Sequence, residues 1–407
     1  MTSHIVIVGG GLAGAKTAQG LRDQGYAGPL TLIAAEPHLP YERPPLSKDY
    51  LMGKSSFHDA LALPGQWYAD HGVDLRLEVQ ATSLDAAGHL LGLDDGTNIN
   101  YGKLVLATGS VPRRLGIPGA DASGVHYLRT REDSDAIRAT FGSGRHLAII
   151  GGGWIGLEVA AAARMVGTDV TVIEMAELPL LGVLGEQIAP VFADLHRDHG
   201  VDLRLGAQVE EISVRGERAT GVRLADGTHI ETDAIVVGIG VRPDVDLATL
   251  AGLATDNGVL VDAQLRTSDP DVFAVGDIAN HDHPVLGHRV RVEHWANALN
   301  QPAAAAAALL GGTEPYTALP YFYTDQYDLG MEYIGHATPG SYEQVVVRGD
   351  LEGREFVAFW LDGDRRIKAA MNVNVWDVPD EVGPIISAGT RVNPESLANP
   401  DVPYGEL

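Results

Sequence analysis

The sequence predicts an α/β protein, with two βαβ nucleotide-binding units and a small α+β domain after them. One observation is an apolar, β-prone run (5–8) that enters a glycine turn at Gly9 and continues into a helix-like segment. The same strand–turn–helix pattern begins again at Gly151, 142 positions after Gly9. From about Leu319, short strand-like pieces dominate and no such turn occurs. Alternation of strands and helices favours parallel sheets in the first two parts.

The first glycine turn has the spacing G-x-G-x-x-G. The first glycine allows a tight turn, the second lets a pyrophosphate approach the backbone, and the third lets the helix pack on the strand. The helix N-terminus then offers N–H groups and a positive dipole end to phosphates. An acid follows Gly14 by 22 positions, close to the ~20 expected for a ribose-binding carboxylate. The alternative is a βαβ unit without a ligand. The candidates for cofactor binding are Gly9, Gly11, Leu12, Ala13, Gly14 and Glu36.

The second turn repeats every part of the first. A strand-like run enters the glycines, a helix-like segment leaves them, and an acid ends the next strand, 18 positions after Gly156. Two complete fingerprints are more specific than one, so the sequence predicts two bound dinucleotides. The candidates in this half are Gly151, Gly153, Trp154, Ile155, Gly156 and Glu174.

Composition excludes several classes of function. The chain has 407 residues, so two or three domains are expected. Its net charge of −25 argues against nucleic acid and anionic membrane surfaces as partners. There are no cysteines, which excludes thiolate metal sites, iron–sulfur ligation and cysteine redox relays within the chain; no metal site is predicted. No apolar stretch is long enough for a membrane span, and the first strand starts at once, so a cytoplasmic protein is expected.

A proline-rich loop follows the first acid, from Tyr41 to Lys48. The prolines predict no helix before Leu46, and Ser47 is expected to cap a short helix near 48–52. Arg43 and Lys48 place two cations on this stiff loop. They are interpreted either as facing the electron-accepting ring of a cofactor or as solvated surface charges.

Three further segments suit close approach to a ligand. Two consist of small residues after apolar strands, and the third is a carboxylate at the end of a strand. Such a carboxylate can accept hydrogen bonds from a polyol, or it can cap the segment that follows. The residues are Ala107, Thr108 and Gly109, then Gly238, Ile239 and Gly240, and Asp277.

On these motifs the chain resembles the ferredoxin reductase family of two-dinucleotide flavoproteins, which includes the putidaredoxin, rubredoxin and ring-dioxygenase reductases. The resemblance covers essentially the whole chain. It implies two Rossmann-like dinucleotide-binding domains of the glutathione-reductase-like type and a small α+β C-terminal domain. The implied boundaries are 1–115 with 242–318 for FAD, 116–241 for NAD, and 319–407 for the C-terminal domain. The matching pieces are Gly9–Gly14, Tyr41–Lys48, Ala107–Arg113, Tyr127–Thr130, Gly151–Glu158, Gly238–Pro243, Asp269–Asp277 and Pro320–Asp328.

The resemblance also implies roles for individual residues. FAD would bind the first fingerprint, with Glu36 on its adenosine ribose and Asp277 on its ribitol. NADH would bind the second, with Glu158 near the nicotinamide and Glu174 on the adenosine ribose. The other residues expected at FAD are Lys48 near flavin N5, Arg129 near phosphate or ring groups, Val79 on the adenine side, and Val292 and Trp295 against the isoalloxazine.

The implied reaction is hydride transfer from NADH to FAD, followed by release of single electrons to a ferredoxin of the 2Fe–2S type. That ferredoxin would serve a haem monooxygenase or a Rieske-type oxygenase. Lys48 and Glu158 are the expected catalytic residues, Lys48 acting electrostatically. The alternatives are an NADH:acceptor oxidoreductase with another acceptor and an NADH-responsive flavoprotein that acts as an interaction module. A monomer and a homodimer both stay open.

Two expectations concern electron exit. Many relatives carry tryptophan where this chain has Tyr323, so a route through an indole is not assumed here. Ferredoxins are usually acidic, so a protein of this charge needs a local basic patch for docking. The candidates are Arg289 and Arg291 or, in the C-terminal domain, Arg365, Arg366 and Lys368.

Overall fold

A computed structural model describes residues 3–407. The strands are β1 (Ile5–Val8), β2 (Leu30–Ile33), β3 (Val73–Arg76), β4 (Ala81–Asp85), β5 (Leu90–Leu93), β6 (Asn98–Asn100), β7 (Lys103–Leu106), β8 (Ser110–Pro112), β9 (Val125–Tyr127), β10 (His146–Ile150), β11 (Asp169–Ile173), β12 (Asp202–Arg204), β13 (Val209–Arg215), β14 (Arg218–Leu224), β15 (His229–Glu231), β16 (Ala234–Val237), β17 (Val241–Pro243), β18 (Val259–Val261), β19 (Val272–Ala274), β20 (Ala279–His283), β21 (His288–Val290), β22 (Tyr321–Gln326), β23 (Leu329–Gly335), β24 (Gln344–Asp350), β25 (Glu355–Leu361) and β26 (Ile367–Val373).

The helices join these strands, and short 3-10 helices occur between them. The α-helices are α1 (Leu12–Asp23), α2 (Gly65–Asp70), α3 (Arg131–Arg138), α4 (Trp154–Met165), α5 (Leu181–Asp198), α6 (Asp246–Leu250), α7 (Trp295–Leu309), α8 (Val378–Ala388) and α9 (Pro394–Ala398). The 3-10 helices are Pro44–Ser47, Phe57–Ala60, Gly276–Ile278 and Tyr404–Glu406. Among residues 3–407, no helix has both the length and the apolar character that a bilayer crossing requires.

The chain folds into two compact units. The first unit comprises the residues up to Glu42 together with Phe57–Val111 and Arg242–Tyr321. Its main sheet has the order β19-β7-β1-β2-β3, with every ladder parallel. Strand β1 is fully buried at the centre, which explains its continuous run of apolar residues. Helix α1 packs against α7, and small sheets such as β4-β5-β6 complete the unit.

The second unit comprises Arg43–Ser56, Pro112–Val241 and Phe322–Leu407. One parallel sheet has the order β12-β11-β10-β16-β9, with β10 at its centre in the place that β1 occupies in the first unit. The sheet β22-β23-β26-β25-β24 contains the antiparallel ladders β23–β26, β26–β25 and β25–β24. Its inner face packs with α5 in one apolar core that includes Trp360 and Phe192. The predicted α/β fold with two parallel-sheet units and a C-terminal α+β part is confirmed.

The expected helix near 48–52 is wrong. The prolines begin a 3-10 helix instead, because Pro44 and Pro45 occupy its first turn, where a missing N–H group leaves no bond unmade. Ser47 is therefore the last residue of a helix rather than the cap of one. Residues 48–52 form turns, such as the bond from Met52 N to Lys48 O at 3.0 Å.

Candidate functional site

The first glycine turn has the geometry that the spacing predicts. Gly9 has φ of +125°, and a Cβ there would lie 2.1 Å from the Ala107 carbonyl oxygen. A Cβ on Gly14 would lie 1.9 Å from the Gly9 carbonyl oxygen. A Cβ on Gly11, in contrast, would meet nothing within 4 Å. Two glycines are thus required by packing inside the protein, and the third leaves an open approach to the start of α1, as a pyrophosphate needs.

The second turn reproduces this pattern. Gly151 has φ of +109°, and its Cβ would lie 2.4 Å from the Gly238 carbonyl oxygen. A Cβ on Gly156 would lie 2.2 Å from the Gly151 carbonyl oxygen, whereas one on Gly153 would have its nearest neighbour at 4.0 Å. Gly11 and Gly153 are the N-caps of α1 and α4, and a glycine has no side chain with which to cap the helix. Both helices can therefore direct their first N–H groups to an anionic ligand.

Glu36 and Glu174 are the acids that follow β2 and β11, and they do not occupy equivalent positions in the two units. The Gly9 N–H donates to Ile33 O, and the Gly151 N–H donates to Ile173 O, each at 2.9 Å, which aligns the two strand ends. Glu174 is the first residue after that point, but Glu36 is the third after Ile33. The Glu174 carboxylate accepts hydrogen bonds from the N–H groups of Gly152 (2.6 Å) and Ala176 (2.8 Å). Glu36 instead accepts from Tyr41 Oη at 2.5 Å.

The second unit brings Lys48 and Glu158 together. Lys48 Nζ lies 2.7 Å from Glu158 Oε1, and their side chains are only 14% and 5% exposed. The carboxylate also accepts hydrogen bonds from Ser47 Oγ (2.5 Å, on Oε2) and from Thr324 Oγ1 (2.6 Å, on Oε1). This is a buried ion pair whose carboxylate has three donors, which offsets the free energy of taking both charges out of water. Lys48 is therefore a paired and largely buried cation, not a solvated surface charge, and its role at a cofactor stays a prediction.

Lys48 also approaches the aromatic ring of Tyr323. Its Nζ lies 5.3 Å from the centroid of the Tyr323 ring, within the range of a cation–π contact. The Tyr323 ring is therefore part of the environment of Lys48. Arg43, the other cation of this loop, makes a different contact: its guanidinium donates to the backbone carbonyl of Arg129.

Two of the three flavin-side candidates of the first unit lie in helices, and Val292 lies in the segment between β21 and α7. Asp277 is inside the 3-10 helix Gly276–Ile278, whose N-cap is Val275, so Asp277 is not a cap and the polyol role stays a prediction. Trp295 begins α7 and donates from Nε1 to Glu42 Oε2 at 2.8 Å. Val292 is buried.

The remaining candidates are held mainly through backbone contacts. The Thr108 hydroxyl donates to Asp244 O at 2.6 Å, and Asp244 N donates to Gly109 O at 2.9 Å, which fixes the segment after β7. Val79 N donates to Ala34 O at 3.1 Å, beside the end of β2. In the second unit, the partly exposed Ile155 and Ile239 belong to the two segments that follow β10 and β16.

The basic patch expected at Arg291 is not a free positive surface. The Arg291 side chain is only 9% exposed and lies 2.5 Å from Glu293 Oε1, which neutralises its charge locally. Arg289 is exposed, but one guanidinium nitrogen donates to the carbonyls of Val261 and Asn280. In the C-terminal part, Arg366 lies 3.4 Å from Asp364, whereas Arg365 is exposed. Arg291 is therefore paired within the fold, and docking of a ferredoxin through Arg289 or through the C-terminal candidates stays a prediction.

Sequence reasoning missed two residues that join the Lys48–Glu158 cluster, Thr324 and Gln326. Thr324 contacts Glu158 directly, and Gln326 Nε2 donates to Thr324 Oγ1 at 3.2 Å. Both are about 1% exposed. The signal was present in the sequence, because Thr324 and Gln326 alternate with Asp325 in β22 and so share its buried face.

Two buried histidines predict how stability depends on pH. Burial lowers the pKa of His196 to about 4, and burial with the nearby His283 lowers the pKa of His281 to about 4. In the unfolded chain such a group binds its proton near pH 6.5. The folded state binds fewer protons between these values, so stability is full above pH 6.5 and falls as the pH drops toward 4.

We expect each histidine to lower the free energy of unfolding by up to about 1.4 kcal/mol per pH unit in this window. Urea unfolding at pH 7.5 and pH 5.5 measures the loss. His281→Asn should have a shallower pH dependence than the wild type, whereas His288→Asn, which replaces an exposed histidine, should not differ. Equal pH dependence in all three proteins would contradict the assignment.

Comparison with known proteins places this geometry in a family. The family model described as pyridine nucleotide-disulphide oxidoreductase matches residues 3–302, and the model described as reductase C-terminal matches residues 321–407. The chain is 43% identical to a 5,5'-dehydrodivanillate O-demethylase ferredoxin reductase subunit from Sphingobium sp., covering 99% of this chain and 97% of that protein. It is 42% identical to the ferredoxin–NAD(+) reductase component of an anthranilate 1,2-dioxygenase system from Burkholderia cepacia, over 98% of this chain and 97% of the relative.

Solved structures agree with the sequence comparison. The covalent putidaredoxin reductase–putidaredoxin complex contains a chain that matches with a TM-score of 0.95 at 36% identity, covering 99% of this chain and 97% of that one. The ferredoxin reductase for the CYP199A2 system from Rhodopseudomonas palustris matches with a TM-score of 0.94 at 37% identity, over 99% and 98% of the two chains. With both family models and relatives of this extent, the chain belongs to the pyridine nucleotide-disulphide oxidoreductase family.

Proposed function

We propose that this protein is an NADH-dependent ferredoxin reductase that uses FAD and serves an oxygenase system. The observation that carries the proposal is the repeated glycine turn, with the same packing at Gly9 and Gly14 as at Gly151 and Gly156. One turn accommodates the pyrophosphate of FAD and the other that of NADH. Relatives named as ferredoxin reductases of oxygenase systems match over nearly the whole chain, which supports the acceptor.

The residues of the first unit fit FAD. Gly11 leaves the start of α1 open, and Glu36, oriented by Tyr41, would accept from the adenosine ribose. Asp277 would accept from the ribitol, while Val292 and Trp295 would contact the ring. We assign residues 1–115 and 242–318 to this FAD-binding domain.

The residues of the second unit fit NADH. Gly153 leaves the start of α4 open, and the fixed Glu174 carboxylate would accept from the adenosine ribose. Three apolar side chains near this turn are partly exposed: Ile155 (45%), Ile239 (37%) and Met175 (72%). Such side chains can cover a bound dinucleotide. We assign residues 116–241 to the NAD-binding domain and 319–407 to the C-terminal domain.

FAD, when bound, accepts a hydride from NADH and releases the two electrons singly. The chain's own contribution is orientation and charge. Lys48 would face the flavin with a cation that is fixed by Glu158, so little reorganisation is needed when negative charge develops on the ring. Glu158 would also lie near the nicotinamide. The absence of cysteine from the chain separates it from relatives that reduce disulphides through a thiol pair.

The experiment that tests the function is NADH-driven reduction of cytochrome c with and without an added 2Fe–2S ferredoxin. We expect cytochrome c to be reduced rapidly only when the ferredoxin is present. We also propose that the protein works in the cytoplasm, where NADH is available. The acidic partner should dock through a local positive surface, so the rate should fall as salt rises beyond the concentration that screens charges ~10 Å apart. Reduction that is equally fast without ferredoxin would identify a different acceptor. Sedimentation of the purified protein decides between monomer and homodimer.

Replacing Lys48 by methionine tests the role of the ion pair. The variant has an unbranched side chain that is one atom shorter, and it removes the cation that compensates a carboxylate only 5% exposed. We expect stopped-flow reduction of FAD by NADH to slow by about tenfold or more, with FAD still bound. Lys103→Met is the matched control, because Lys103 pairs with Asp271 at a more exposed position, 31% exposed on each side. Wild-type reduction kinetics in Lys48→Met would show that the Lys48–Glu158 ion pair is structural and does not act on the flavin.

A further inference from the structure

A chain of polar side chains within the second unit ends at the Glu158 carboxylate. Tyr327 Oη lies 3.3 Å from His196 Nδ1, and His196 Nε2 lies 2.8 Å from Gln326 Oε1. Gln326 Nε2 lies 3.2 Å from Thr324 Oγ1, which lies 2.6 Å from Glu158 Oε1. His196, Gln326 and Thr324 are each at most 1% exposed. The sequence alone did not predict that Tyr327, His196, Gln326 or Thr324 belongs to the site.

The carboxylate fixes the direction of every hydrogen bond in this chain. An ionised carboxylate only accepts, so the Thr324 hydroxyl must donate to Glu158. That hydroxyl has one hydrogen, so it accepts from Gln326, which must present its Nε2 there. Gln326 therefore presents Oε1 to His196, whose Nε2 must carry the proton.

The far end of the chain is consistent with this direction. Since His196 Nε2 carries the proton, its Nδ1 accepts from the Tyr327 hydroxyl. This pattern requires a neutral imidazole, and burial lowers the pKa of His196 to about 4, so the ring is neutral at pH 7. Four donors thus point the same way, toward Glu158. Hydrogen bonds aligned in one direction polarise one another, so the terminal bond to the carboxylate is strengthened.

We propose that His196, Gln326 and Thr324 are positioning residues that hold the Glu158 carboxylate, and through it the Lys48 ammonium, in one orientation. The proposal rests on the proposed function for the meaning of that orientation. The chain acts by alignment and not as a proton path, because the amide of Gln326 does not readily take up a proton and release another. His196 lies on α5, and Thr324 and Gln326 lie on β22, so the chain of hydrogen bonds connects two elements of the core to Glu158.

The decisive variant is Thr324→Val, which keeps the shape of the side chain and removes its hydroxyl. Glu158 Oε1 would keep only Lys48 as a donor. We expect FAD reduction by NADH to slow by about tenfold, with little change in KM for NADH, since an interaction with a charged group is lost. The midpoint potential of the bound flavin should become more negative, because the less satisfied carboxylate increases the negative field at Lys48. Thr324→Ser should restore both values.

Thr171→Val is the matched control. Like Thr324, Thr171 is a buried threonine in a strand. Its hydroxyl contacts His146 Nε2 at 2.9 Å and does not contact Glu158. We expect wild-type potential and reduction rate in this variant. Gln326→Met interrupts the chain one step earlier and should give a smaller loss of the same kind; it also serves if Thr324→Val does not fold. Equal behaviour of Thr324→Val and Thr171→Val, or wild-type values in both Thr324→Val and Gln326→Met, would overturn the proposal.

A spectroscopic readout is independent of turnover and of ferredoxin. Nitrogen-15 NMR of ring-labelled histidine should show His196 as the Nε2–H tautomer between pH 5 and pH 8. The ring is neutral over this range because burial lowers its pKa to about 4. A charged ring or the Nδ1–H tautomer would overturn the chain of hydrogen bonds. If the wild-type protein fails to reduce ferredoxin but shows this tautomer and the potential shift in Thr324→Val, the proposed acceptor is wrong and the positioning chain stands.

Discussion

Replacing Gly14 by alanine should give a protein that does not retain FAD, whereas Gly156→Ala should keep FAD and lose tight binding of NADH. The new Cβ in the first variant would lie 1.9 Å from the Gly9 carbonyl oxygen, and that in the second 2.2 Å from the Gly151 carbonyl oxygen. Both clashes are with backbone, which cannot move without displacing the turn that we propose to hold a pyrophosphate. Overpacking of this kind costs about 1–3 kcal/mol or more, and here it falls directly on the binding geometry.

The measurements are the FAD-to-protein ratio by absorbance and the dissociation constant for NAD(H) by titration. Each variant is the control for the other turn. Gly182→Ala is a further control, because this glycine lies in the first turn of α5 and a Cβ there would meet nothing within 4 Å. If Gly14→Ala binds FAD normally, or if the two variants exchange their effects, the assignment of FAD to the first turn and NADH to the second is contradicted.

We expect NADH to be preferred over NADPH by at least about tenfold in kcat/KM. Like charges about 4 Å apart repel by up to ~4 kcal/mol at an effective dielectric constant near 20, and solvent screening reduces this value. The Glu174 carboxylate cannot turn away easily, because two backbone N–H groups hold it. The neighbouring Met175 and Ala176 provide no cation for a 2′-phosphate.

Glu174→Ala should narrow the preference, chiefly by improving turnover with NADPH. Glu177→Ala is the matched control, because it removes a nearby exposed acid and the same net charge. Steady-state kinetics with both coenzymes measures the effect. Equal turnover of the wild type with NADH and NADPH, or an equal response to both substitutions, would show that Glu174 does not select between the two coenzymes at the adenosine ribose.

The two glycine turns could be predicted from the sequence alone. Strand β1, Gly9 and Gly14 are local in sequence, and the chemistry of a close turn leaves few residues that can replace glycine. The same holds for Gly151 and Gly156. The expectation of two dinucleotides, the α/β class and the absence of thiol chemistry follow from such local or compositional facts, whereas FAD and NADH were implied by the family resemblance. Even so, spacing made Glu36 and Glu174 look equivalent, and only the strand register showed that they differ by two positions.

The tertiary structure decided which charges are paired. Lys48 meets Glu158 across 110 positions of chain, and Thr324 meets the same carboxylate across 166. It also paired Arg291 with Glu293, which removes Arg291 from the candidates for a free positive surface. Partners of a side chain depend on how distant elements pack, and no local pattern encodes that packing. The sequence therefore predicted two candidate cofactor sites, and the fold determined how charged groups such as Lys48 and Glu158 are held.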